Sequence, residues 1–181
     1  SLLIMGPAGA GKSTLSSQFV GAAAERGERA VVYLFDETER AFLARADGLG
    51  MSTRRHVDSG QIKLLQVDPA EFSPGEFAHE VRSQVEDHDA RLVVIDSLNG
   101  YLTGMPDEHH LAMHMHELLT YLGQQNVATI LIGAHQGLIG SQMNTPIDAS
   151  YLADAVLLLR YFEAKGEVRQ VISVMKKRGS K

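Results

Sequence analysis

The chain has 181 residues, 44% hydrophobic and 22% charged, enough for one globular domain with a full core. Its 17 basic and 22 acidic residues give a net charge of −5, which argues against a nucleic-acid surface, since such surfaces are basic. Without cysteine there is no disulfide and no thiolate metal site, and no apolar run approaches the eighteen or so residues of a membrane span. No signal peptide opens the chain, so a cytoplasmic location is expected. Both ends fall tightly on core-like segments, and a domain truncated at both ends from a longer protein is expected.

Leu2-Leu3-Ile4-Met5 reads as a buried strand, and Ser13 to Arg26 has a helical pattern. Between them, Gly6-Pro7-Ala8-Gly9-Ala10-Gly11-Lys12-Ser13 fits G-x-x-x-x-G-K-[ST]. Strand, glycine loop and helix in that order form the setting a phosphate-binding loop requires. Glycines let backbone N–H groups turn inward around a polyphosphate, at the positive end of the helix. Lys12 is placed for the β- and γ-phosphates, the Ser13 hydroxyl for the shell of Mg²⁺, and Thr14 completes the cradle. The glycine order is wrong for the dinucleotide fingerprint G-x-G-x-x-G. ATP with Mg²⁺ is the expected ligand.

Apolar runs then alternate with amphipathic stretches. Strands are expected over 30–35, 61–67, 91–95 and 127–133, with the second strand next to the first in a doubly wound order. The fourth is very apolar and therefore central. Helices are expected over 37–46, 75–87 and 108–124. The segment 137–146 reads as a loop. Two last strands, 155–162 and 168–176, flank a short turn and form an antiparallel hairpin on the sheet edge. The fold class is a single α/β domain with a mostly parallel sheet flanked by helices.

Phosphoryl transfer needs a phosphate cradle, a metal holder, a group that positions the nucleophile, and positive charge. Asp96 ends the fourth strand, where a carboxylate can hold Mg²⁺. Asp36 and Glu37 end the second, where one of them can orient or deprotonate water; strand alternation turns only one toward the nucleotide, and the sequence leaves open which. His135 and Gln136, after the fifth strand, can sense the γ-phosphate. Lys176 and Arg178 lie two apart on the last strand and read, from spacing alone, as a basic edge that resists aggregation. His110 and His114 have a metal-compatible i, i+4 spacing, with His109 and His116 beside them. No third ligand is evident, so an exposed, pH-sensitive helix face is the preferred reading.

The loop GPAGAGKST, the acidic pair in YLFDET, the strand LVVIDSLNG and the ending VMKKRGS together resemble a RecA-like ATPase of the KaiC branch, over essentially the whole chain. The resemblance implies a hexameric ring with ATP between subunits, catalytic acids after the second strand, and regulatory protein partners. It also implies that Lys176 and Arg178 reach across to the neighbouring subunit's nucleotide. Two positions depart from the family pattern: Asp36-Glu37 stands where the clock protein has Glu-Glu, and Ser150-Tyr151 where it has a phosphorylated Ser-Thr pair. Ser150 is thus the candidate acceptor for autophosphorylation. The rival readings are a DNA-dependent recombinase or helicase, weakened because segment 137–146 has no Lys or Arg, and an ATP-binding module that does not hydrolyse.

Overall fold

The computed structural model describes residues 1–104, 110–134 and 149–178, with backbone alone at 149 and 150. Seven strands among them form one sheet: β1 (Leu2–Gly6), β2 (Arg29–Leu34), β3 (Ile62–Gln66), β4 (Ala90–Asp96), β5 (Ala128–Ala134), β6 (Ala155–Ala164) and β7 (Glu167–Lys177). The order across the sheet is β3-β2-β4-β5-β1-β6-β7. Every pairing is parallel except the β6–β7 hairpin. Lys165 and Gly166 at its tip both have positive φ, as a tight two-residue turn between right-twisted strands demands.

The helices are α1 (Lys12–Glu25), α2 (Glu39–Gly48), α3 (Thr53–Asp58), α4 (Pro74–Glu86), α5 (Leu98–Gly104) and α6 (Leu111–Gln124), with a 3₁₀ turn at Ala149–Leu152. They cover the two faces of the parallel strands. Along each strand alternate residues enter opposite layers, so a near-continuous apolar run buries both sides. Leu3, Val31, Val93 and Leu131 point to the layer shared with Phe77 of α4 and Met115 of α6. Their neighbours Ile4, Val32, Val94 and Ile132 point to the layer shared with Val20 of α1 and Phe42 of α2.

Three expectations change. The second strand is not next to the first: β2 lies between β3 and β4, and β5 and β4 separate it from β1. Both runs are apolar on both faces, so neither encodes how far α1 carries the chain sideways. The very apolar β4 is interior, but β5 is the middle strand of the seven. The helix expected from residue 37 starts at Glu39, because the Thr38 hydroxyl accepts the Ala41 N–H at 3.2 Å and caps it.

Elsewhere Ser73 and Glu76 form a reciprocal capping box that starts α4 at Pro74. The short helices α3 and α5 carry no periodicity long enough to read. The expected start of α6 at Glu108 and the segment 137–146 lie outside the described residues.

Candidate active site

Gly11 stands immediately before α1 with φ 87°, a left-handed conformation that costs glycine nothing and strains other residues. Its consequence is a loop that curls around the first turn of α1. The Lys12 ammonium closes that curl by donating to the Pro7 carbonyl at 2.8 Å. Burial pulls the Lys12 pKa below its ordinary value, and the nearby Asp96 carboxylate opposes this.

Asp96 is buried at the carboxyl end of β4 and joined to Ser97 by a cis peptide. The Ser13 side chain hydrogen-bonds its carboxylate, while the buried Oδ2 has no partner among the described residues. Burial raises the Asp96 pKa most, the Ser13 bond lowers it, Glu37 and Asp36 raise it and Arg45 lowers it; the net direction is up. A buried carboxylate oxygen without a donor is costly, and its natural complement is a cation. Hydroxyl and carboxylate oxygens together are the donors a hard divalent ion takes, so Ser13 and Asp96 fit Mg²⁺.

Asp36 and Glu37 follow β2 in a bend, not in the strand itself, which ends at Leu34. The two carboxylates have different surroundings. Asp36 is exposed, and its Oδ2 accepts the Ser97 hydroxyl, which in turn accepts the Gly100 N–H at 3.0 Å. Glu37 is half-buried, and both its oxygens are held by the Arg45 guanidinium, one at 2.8 Å and the other closer. The main chain packs tightly here: a Cβ on Gly100 would lie 2.6 Å from the Phe35 Cβ and 3.1 Å from Asp36 Oδ1. The neighbouring Asn99 accepts the Ala134 N–H at 2.7 Å and ties α5 to the end of β5.

Lys12, Ser13, Asp36, Glu37 and Asp96 therefore share the carboxyl end of the parallel strands. Lys176 and Arg178 do not. Lys176 pairs with Val156 and Lys177 with Ala155, at the level where β1 begins. The phosphate loop lies near the far end of β6, where the Tyr161 hydroxyl would be 3.2 Å from a Cβ on Gly9. Val156 to Tyr161 spans about 17 Å of strand at roughly 3.3 Å per residue. β7 stops at Lys177, so Arg178 lies just beyond the strand expected to carry it. Its backbone N–H donates to the Asp154 carbonyl at 2.8 Å and its guanidinium to Asp154 Oδ1 at 3.4 Å.

His135 and Gln136 lie outside the described residues, as does His109. Ser150 is placed by its backbone alone, in the 3₁₀ turn that leads into β6. His110 precedes α6, and the His114 Nδ1 is 4.0 Å from Glu117. Among the described residues no three His, Cys, Asp or Glu side chains gather as a metal group. Sequence reasoning missed Ser97, Gly100 and Arg45. Ser97 could have been suspected from its place directly after Asp96.

A glycine loop between β1 and α1, with acidic residues at neighbouring strand ends, defines a P-loop nucleotide-binding protein of the RecA-like α/β class. The family model described as "ATPase: KaiC" matches residues 1–181, and the chain belongs to that family. It is similar to the circadian clock protein KaiC3 of Synechocystis sp., 25% identical over 179 residues, covering 99% of this chain and 35% of the relative. The circadian clock oscillator protein KaiC of Prochlorococcus marinus subsp. pastoris is 26% identical, with the same coverage. That of Synechococcus elongatus is 25% identical, covering 34% of the relative. The chain thus spans about a third of the length of the curated relatives it matches. Among the described residues no helix is long and apolar enough to cross a membrane.

Proposed function

We propose that this chain hydrolyses Mg-ATP slowly at the contacts between copies in a ring, and that the state of the ring is its regulatory output. The observation that carries the reading is the buried, unpartnered Oδ2 of Asp96 beside Ser13 and Lys12, at the mouth of a phosphate loop. Residues Gly6 to Thr14 wrap the triphosphate through their backbone N–H groups, and Lys12 leaves the Pro7 carbonyl for the phosphate oxygens. Ser13 and Asp96 would hold Mg²⁺, which supplies charge neutralisation at the β- and γ-phosphates.

Asp36 is the better-placed proton acceptor, because Glu37 has both oxygens committed to Arg45. Ser97 fixes the Asp36 carboxylate, leaving its other oxygen for a water. As the water oxygen bonds to the γ-phosphorus, its proton passes to Asp36 and the bond to the bridging oxygen breaks, leaving ADP and phosphate. Lys176 and Arg178 stand too far from their own loop to steady that charge, and serve a neighbouring copy instead. Gln136 is assigned the sensing of the γ-phosphate. A ring of six, regulatory protein partners and a cytoplasmic setting complete the reading, with nucleic acid not a ligand.

Ser150 precedes β6, at the same end of the sheet as Arg178, so a neighbour's nucleotide is the one that would phosphorylate it. Mixing tests the trans arrangement. Lys12→Ala and Arg178→Ala chains, each inactive alone, recover part of the activity when co-assembled, because some contacts pair an intact loop with an intact arginine. Failure to recover in verified mixed assemblies sinks it. Label from γ-labelled ATP that appears on protein and is lost in Ser150→Ala supports the acceptor; undiminished protein label rejects it.

A further inference from the structure

Three carboxylates, Asp36, Glu37 and Asp96, lie within electrostatic reach at the end of the sheet where the phosphate loop opens, though they do not close into a metal group, and a site for a triphosphate must tolerate them. Like charges in a partly enclosed site repel with less screening than on an open surface. Among the described residues, Lys12 and Arg45 supply positive charge to this cluster.

Arg45 sits on α2, and its guanidinium grips Glu37 with two N–H groups, one per oxygen. This fork-to-carboxylate geometry holds the guanidinium charge on Glu37. The guanidinium carbon also lies 5.1 Å from the centre of the Phe42 ring, which is fully buried, so the head is seated on the core. Both partners are largely shielded, with side chains 29% and 21% exposed. Glu37 stands three residues after Leu34, which is in register with Asp96 across β2 and β4, so the pair lies at the same end of the sheet as that carboxylate.

We infer that Arg45 is a charge-compensating residue of the nucleotide site: it cancels Glu37 so that a triphosphate can bind beside the remaining carboxylates. The inference rests on the reading that the loop holds ATP. It assigns Arg45 an effect on affinity, exerted through Glu37. A clamp that merely fastened α2 to the bend after β2 would act through shape, and removing the charge of Glu37 would not repair its loss.

Calorimetric binding of the Mg²⁺ complex of a non-hydrolysable ATP analogue separates these. Arg45→Ala is expected to weaken binding about tenfold, and more for the triphosphate analogue than for ADP. Glu37→Gln alone tightens it, since Arg45 is then left facing the phosphates. The Arg45→Ala, Glu37→Gln double variant returns to within about threefold of the parent, and Arg45→Lys keeps most of the affinity. A double variant as weak as Arg45→Ala, or a Glu37→Gln that binds more weakly than the parent, overturns the inference while leaving the nucleotide reading intact. Should Arg45→Ala not fold, Glu37→Gln and Arg45→Lys carry the test. A parent chain that binds neither nucleotide overturns both.

Discussion

The strands β2, β4, β5 and β1 and the edge strand β7 belong to one sheet, yet their apolar residues meet opposite fates. Val31, Val94 and Leu131 are sealed between helical layers, whereas on β7 Val168 is 67% exposed, Val174 65% and Ile172 57%. The residue types are the same. In the enclosed half they stabilise the fold of a single copy, at about 25 cal/mol per Å² of apolar surface buried. On β7 they contribute little to that fold and face outward on an edge strand, where natural sheets usually place charges. The comparison teaches that this sheet joins a sealed half, which carries the phosphate loop, to an edge strand whose apolar residues a single copy leaves uncovered.

The sharpest way to break the comparison is at the chemical half. Asp36→Asn is expected to lower ATP turnover by about 10²-fold or more while leaving the melting temperature close to the parent's, because Asp36 is exposed and the amide can still accept from Ser97. Steady-state kinetics beside a thermal melt would show it; turnover within threefold of the parent removes Asp36 from the chemistry. Gly100→Ala comes next. Its methyl group cannot fit against Phe35 and Asp36, and the expected cost is about 1–3 kcal/mol of stability in denaturant unfolding, with activity falling as well.

A smaller effect of opposite sign is expected from Asp96→Asn. Folding raises the Asp96 pKa through burial, so the folded chain binds this proton more tightly than the unfolded one. The destabilisation is full above the raised pKa and vanishes below the ordinary carboxylate value. Asp96→Asn should therefore melt slightly higher at neutral pH, lose that advantage in acid, and lose Mg²⁺-dependent nucleotide binding. The smallest effect on the fold is expected at the edge: Ile172→Lys with Val174→Lys should shift single-copy stability by only about 0.5 kcal/mol, as surface changes do. Their visible consequence is a loss of assembly in analytical ultracentrifugation. A large loss of stability would show β7 to be part of the core after all.

How far the sequence revealed this molecule depends on how local each feature is. The phosphate loop was legible because its glycines, Lys12 and Ser13 act within eight residues of one another. The place of Asp96 was legible because it directly follows the apolar run Leu92 to Ile95, which forms β4. The sideways position of β2 was not, since it depends on how far the chain travels over the sheet and on no residue of the strand itself. Ser97 meets Asp36 across 61 positions, a contact that no periodicity announces. Arg45 meets Glu37 across a helix cap, eight positions apart, where surface ion pairs and solvated arginines look alike. The exposure of β7 was hidden for a plainer reason: its apolar residues are spaced as a buried strand's would be.

One consequence of the sheet's two ends belongs to inheritance. The phosphate loop lies at one end and Arg178 at the other, so under the trans arrangement every working site draws on two chains. Suppose a fraction f of the chains carries Lys12→Ala and Arg178→Ala together and mixes freely with intact ones. A site then works only where both contributors are intact, and the working fraction is (1 − f)² in place of 1 − f. A defective gene copy would accordingly be felt beside a normal one, as partial dominance, where an enzyme that is complete within a single chain would lose only its proportional share.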